Sequence, residues 1–113
     1  MAALDRLAAS RPGTPEEFGY RAALAYADGS SADVDRWLGR ARAANPLFGR
    51  AYRIVGGQAA RLYRFDDAVV FARRATAVNA EDPEGFAGLG VYLMRTGDEA
   101  AARIALEQAF KAD

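Results

Sequence analysis

The sequence has no cysteine and no histidine, and its fourteen arginines stand against one lysine, Lys111. These absences exclude whole classes of chemistry. Without cysteine there is no disulfide framework, no thiol nucleophile and no zinc-finger site. Without histidine the usual general base near neutral pH is missing, and so is the commonest metal ligand. β-Branched residues are scarce, six Val, two Ile and three Thr, and nowhere do they alternate with polar residues as a half-buried strand requires. No apolar run approaches the ~20 residues that span a bilayer. The opening Met1-Ala2-Ala3-Leu4-Asp5-Arg6 lacks the basic-then-apolar order of a secretion signal. The 15 basic residues are matched by 15 acidic ones, which argues against a dedicated nucleic-acid binder. The expectation is a cytoplasmic domain that is not an enzyme, carries no cofactor or metal, and binds neither nucleic acid nor membrane.

What the sequence has in abundance is alanine. Of 113 residues 51% are apolar, and 27 of these 58 are Ala. Alanine is the best helix former because it loses no side-chain entropy, and it lets helix backbones approach closely. Only 31 apolar residues larger than Ala remain. They are too few for one thick core but enough for thin layers of paired helices, so composition points to an all-α stack.

A period of 34 residues runs through the chain. With Pro15, Gly49 and Pro83 as equivalent starts, the fourth positions are Phe18, Tyr52 and Phe86, and the eighth are Ala22, Gly56 and Gly90. The twentieth are Val34, Ala68 and Ala102, the twenty-fourth Leu38, Ala72 and Leu106, and the twenty-seventh Ala41, Ala75 and Ala109. Aromatic and small residues thus recur in fixed register with no insertion. Thr14-Pro15-Glu16-Glu17 reads as an N-cap, an N1 proline and a capping-box glutamate, and Asp82-Pro83-Glu84 opens a helix in the same way. The pattern predicts helices near 15–27, 31–44, 48–62, 65–78, 83–95 and 98–111, with Gly29 and Gly97 in the turns.

These blocks resemble the tetratricopeptide repeat, a 34-residue helix–turn–helix unit with small residues at positions 8, 20 and 27. The resemblance covers 15–113 and is strongest in the third block, with Phe86, Leu89, Gly90, Leu93, Gly97, Ala102, Leu106 and Ala109 at pattern positions. The first block departs most, with Arg21 at the apolar seventh position and Val34 at the twentieth. In the second, Tyr63 replaces the turn glycine. The resemblance implies a right-handed α-solenoid with repeats at 15–48, 49–82 and 83–113. In the same phase 1–14 is an N-terminal helix and turn of an incomplete repeat, with Leu4 and Leu7 packing on the first full repeat. The alternative for that segment is a frayed tail.

The resemblance also implies a function, the binding of a peptide or protein in a concave groove lined by the first helix of each repeat. The carried-over groove positions include Tyr26 from the first repeat, Arg50, Arg53, Gly57 and Arg61 from the second, and Met94 and Arg95 from the third. At helical spacing Arg50, Arg53, Gly57, Arg61 and Arg64 fall within an arc of about 80°. Such an arginine stripe suits a carboxylate-bearing partner held by guanidinium forks. The competing reading is a solvated face whose arginines pair with Glu16 and Glu84 on the flanking helices. The Lys/Asn clamp of family members that hold chaperone tails is absent, since Gly19, Ala23, Ile54, Glu84 and Gly88 occupy its positions. A second surface is expected on the last helix, where Leu106 and Phe110 sit one turn apart, on a face where a further repeat would dock. That face suggests a piece of a longer array, a homodimer, or docking of a neighbouring domain in the same protein. Arrays of this kind also resemble bacterial repeat segments attached to catalytic domains. Gly85-Phe-Ala-Gly88-Leu-Gly90 is not a dinucleotide fingerprint, because it lies inside a predicted helix and follows no strand.

Overall fold

The computed structural model describes residues 2–112 and, among them, seven helices and no strand. They are α1 (Ala2–Ala9), α2 (Pro15–Ala27), α3 (Ser31–Ala44), α4 (Arg50–Arg61), α5 (Phe65–Val78), α6 (Pro83–Thr96) and α7 (Glu99–Ala112). The helix predicted over 48–62 is shorter at both ends. The helix starts follow the capping chemistry. Thr14 Oγ1 accepts from the Glu17 amide at 3.2 Å and Asp82 Oδ1 from the Glu84 amide at 3.1 Å, each just before a proline in the first turn. Glu17 does not close its capping box on Thr14. Its Oε1 accepts from the Gly13 amide at 2.8 Å, while Oε2 meets Arg21 Nε at 2.9 Å. Gly29 and Gly97 turn the chain with φ of 79° and 89°, and Tyr63 takes the same left-handed conformation at 59°.

Helices pack as the pairs α2/α3, α4/α5 and α6/α7. Small residues sit where each pair crosses. A Cβ on Gly56 would lie 3.3 Å from Phe71 Cβ, and one on Gly90 would lie 2.7 Å from the Leu106 side chain. Ala22, Ala68 and Ala102 are fully buried. The apolar interior is not one mass but three small clusters strung along the stack.

The two junctions between pairs are unlike. At the first, α4 lies broadly along α2, where Gly19 admits Ala51 and Ile54, and α3 touches α4 only marginally. At the second, α6 leans on α5, with Gly85 against Thr76 and Leu89 clustered with Ala72, and meets α4 at few points. The first junction leaves α3 and α5 apart and the second leaves α4 and α6 splayed.

Helix α1 docks through Leu4 and Ala8 on Tyr20 and Ala23. Leu7, expected in the same contact, instead faces outward and is 41% exposed. In an 8-residue helix only one narrow stripe meets the neighbour, and Leu4 and Ala8, one turn apart, occupy it.

Candidate functional site

Helix α4 carries the arginine stripe on the side opposite Tyr52, Val55 and Ala59, which are buried against α5 and α2. This amphipathic split follows from the sequence spacing alone. Its four groove residues meet different surroundings. Arg50 is exposed, and its Nη2 reaches the Tyr20 hydroxyl at 3.4 Å, a long contact with little hold. Arg53 is tied to α6: Nη1 donates to Glu84 Oε2 at 2.7 Å, and Nε lies 3.2 Å from Asp82 Oδ2. The second approach is an ion pair without hydrogen-bond alignment, since Nε is buried and donates to nothing. Gly57 faces open space. Arg61 is exposed and has no acidic partner among the described residues. Glu16, expected to neutralise the stripe from α2, makes no ion pair among the described residues.

Between α4 and α6 the splayed junction opens a cleft of about 180 Å³. Gly56, Ala72, Gly85 and Gly88 line it, Arg53 and Glu84 stand at its edge, and Tyr92 forms one wall. Burial pushes the Tyr92 phenol above its ordinary pKa, and the charges of Arg61 and Arg53 pull it partly back. Tyr92 and the Gly85/Gly88 pair were not among the expected groove residues. The available signal was two glycines three apart inside a helix, where each weakens the helix unless close approach needs it.

The remaining expected groove residues lie elsewhere. Tyr26 turns away from the stripe into a pocket of about 300 Å³ between the α2–α3 turn and α5. There its ring meets Phe71 edge-on at 5.8 Å, Arg64 lies 5.7 Å above it, and its hydroxyl donates to Asp67 Oδ2 at 2.5 Å. Burial, and then that hydrogen bond, raise its pKa. Arg64 therefore leaves the stripe as well. Met94, at the same repeat position as Tyr26, lines a hollow with Leu106 and Phe110 on the outer side of α6 and α7. Tyr26 shifts because the face bearing this position meets α5 of the following helix pair rather than the inner surface. Arg95 lies 5.2 Å from the Phe65 ring centre. Leu106 is only half exposed, since it covers the Cβ-less face of Gly90, whereas Phe110 is 82% exposed.

Among the described residues no group of three or more carboxylates could hold a metal ion. Among the described residues, too, no helix is long and apolar enough to cross a membrane.

This arrangement of paired helices has a counterpart among solved structures. The crystal structure of MamA, which contains tetratricopeptide repeats, superposes on 98% of this chain with a TM-score of 0.64 at 14% identity. The fold is that of tetratricopeptide repeats. A point mutant of MamA matches over 99% of the chain with a TM-score of 0.60 and 19% identity. The chain spans 65% of the length of the first of these structures and 82% of the second. No family profile matches the sequence, and no curated protein does. At such identities the likeness establishes an all-α helical-repeat architecture, and the chemistry of the inner face rests on this chain's own residues.

Proposed function

We propose that the chain is a protein-interaction scaffold, not an enzyme, that holds an acidic peptide segment along the inner face of α4. The observation that carries this reading is the division of the stripe. Arg53 is consumed by Asp82 and Glu84 and serves to pin α6 to α4. Arg50 and Arg61, two exposed guanidiniums on the same face, flank the bare backbone at Gly57. Cations about three turns apart, with no side chain between them at Gly57, suit an extended segment with spaced carboxylates. The small-residue cleft beside Tyr92 is of a size to take one apolar side chain of that segment.

The test is fluorescence anisotropy with a labelled peptide rich in Glu and Leu. The double variant Arg50→Glu/Arg61→Glu is expected to weaken binding at least tenfold, and added salt to weaken the unmodified protein's binding as well. Unchanged affinity in the double variant would refute the groove assignment. Arg53 is not the residue to reverse, because its loss also undoes the α4–α6 ties.

A further inference from the structure

A second groove, of about 240 Å³, opens over α6 between α5 and α7. Phe86, Leu89 and Leu93 form its floor along two turns of α6, which makes it about 10 Å long. Leu89, Leu93 and Ala105 are buried there, while Ile104 stands 61% exposed on the wall.

The two ends of this groove differ. Thr76 lies against Gly85, next to Phe86. Gly90 faces Ala102 and Leu106, so the antiparallel pair α6/α7 sets Gln108 beside Phe86 and Ala101 beside Leu93. Arg73, one turn before Thr76 on α5, makes a polar end with Gln108, and Leu93 and Ala101 make the other end apolar. Arg73 and Gln108 are exposed. Arg73 has no acidic partner, and no carboxylate lines the groove, among the described residues.

The preceding repeat explains why the space is open. There Phe71 takes the position of Ala105 and is buried in its cluster, and Arg74, at the position of Gln108, covers the Tyr52 ring at 5.0 Å. A methyl in place of that ring leaves the second junction unfilled. The groove is also not where one helix pair receives the next. The α5 residues that carry α6, Val69, Ala72 and Thr76, correspond to Arg103, Leu106 and Phe110 of α7, and none of these lines it.

We propose that this groove binds an unbranched alkyl carboxylate, its head on Arg73 and Gln108 and its tail running to Leu93 and Ala101. An extended carbon chain advances about 1.3 Å per bond, so about eight carbons fill the length. A carboxylate suits the head position, because one guanidinium fork donates to both its oxygens. Apolar walls with a few polar groups at one end are the usual make-up of a small-ligand site. The site lies away from the inner face of α4 and does not depend on what binds there.

Isothermal titration calorimetry of the whole chain with sodium hexanoate, octanoate and decanoate tests this, with 1-octanol as the uncharged control. Saturable one-to-one binding of octanoate is expected. Affinity is expected to rise about two- to fourfold per methylene from hexanoate and to level off by decanoate. Arg73→Glu is expected to weaken octanoate about tenfold and to leave octanol unchanged. Ala105→Phe, which restores the ring of the preceding repeat, is expected to abolish binding of both. Circular dichroism checks its fold, and Ile104→Glu, at an exposed position, replaces it should it misfold. The α4 variant Arg50→Glu/Arg61→Glu is expected to bind octanoate like the unmodified chain, so the two sites read out separately. Absence of saturable octanoate binding would overturn the proposal. So would equal affinities for hexanoate and octanoate, or octanoate binding that survives Arg73→Glu and is lost in the α4 variant. Arg73-dependent binding of the Glu- and Leu-rich peptide without any octanoate binding would make the groove a protein contact instead.

Discussion

Gly56 and Gly57 are adjacent in α4 and face opposite environments, which makes them a controlled pair. Replacing either with Ala relieves the same helix-interior penalty, about 1 kcal/mol. At Gly57 nothing lies within 4 Å of the added methyl, so the gain is expected intact, about 0.5–1 kcal/mol of added stability. At Gly56 the methyl would lie 3.3 Å from Phe71 Cβ and 3.5 Å from the Ala68 carbonyl oxygen. Neither can swing aside like the end of a long side chain, because both are fixed to the α5 backbone. The two helices must part by a few tenths of an ångström, and such overpacking costs about 1–3 kcal/mol. Gly56→Ala is therefore expected to be neutral to about 2 kcal/mol destabilising after the propensity gain. The difference between the variants isolates the crossing contact, since propensity cancels. Urea denaturation followed by circular dichroism measures both, and a gap of about 1–3 kcal/mol corresponds to very roughly 4–12 °C in Tm for a chain of this size. Equal stabilities in the two variants would refute the claim that close approach holds position 8 of the repeat small.

Two further outcomes follow from local geometry. Tyr63 sits at φ 59° and is 82% exposed, so Tyr63→Gly is expected to stabilise the chain by about 0.5–1 kcal/mol through relief of left-handed strain. A fall in Tm would show instead that its edge contact with Phe65 outweighs that strain. The Glu17 carboxyl is held below its ordinary pKa first by the Gly13 amide and then by Arg21. A depressed folded pKa adds stability that is present above the ordinary value of 4.5 and is lost as pH falls through the folded one. Glu17→Gln is expected to flatten the acid limb of a pH–stability curve below that point, and an unchanged limb would contradict the assignment.

The periodic features were legible from the sequence because each is set within one helix or one turn. Capping at Thr14 and Asp82, the left-handed glycines at 29 and 97, and the small residues at 22, 56 and 90 depend on neighbours only a few residues away or on one crossing. The stripe was legible as a face for the same reason. What the spacing left open was the identity of the neighbour across each junction. Position 12 was carried over as an inner-surface position, yet Tyr26 and Met94 both face the following side of the stack. Whether that side is inner surface or interface depends on the angle at which the next pair is laid down. That angle differs between the two junctions, because Gly19 invites α4 onto α2, whereas Gly85 and Leu89 draw α6 onto α5.

Arg21 shows how one departure from the pattern reshapes an end of the fold. Its counterpart Leu89 is buried and receives α5. At the same place on α2 the chain has a guanidinium paired to Glu17 at 2.9 Å. A helix packed there as α5 packs on α6 would strip water from that pair, and desolvating an ion pair costs more than its attraction returns unless further hydrogen bonds complete it. Leu4 and Ala8 therefore settle on Tyr20 and Ala23, where only apolar surface is covered. The α2–α3 face is left charged at its rim and aromatic at its centre. The residue that breaks the repeat pattern is thus the one that keeps the first face of the stack from receiving a helix as α6 receives α5.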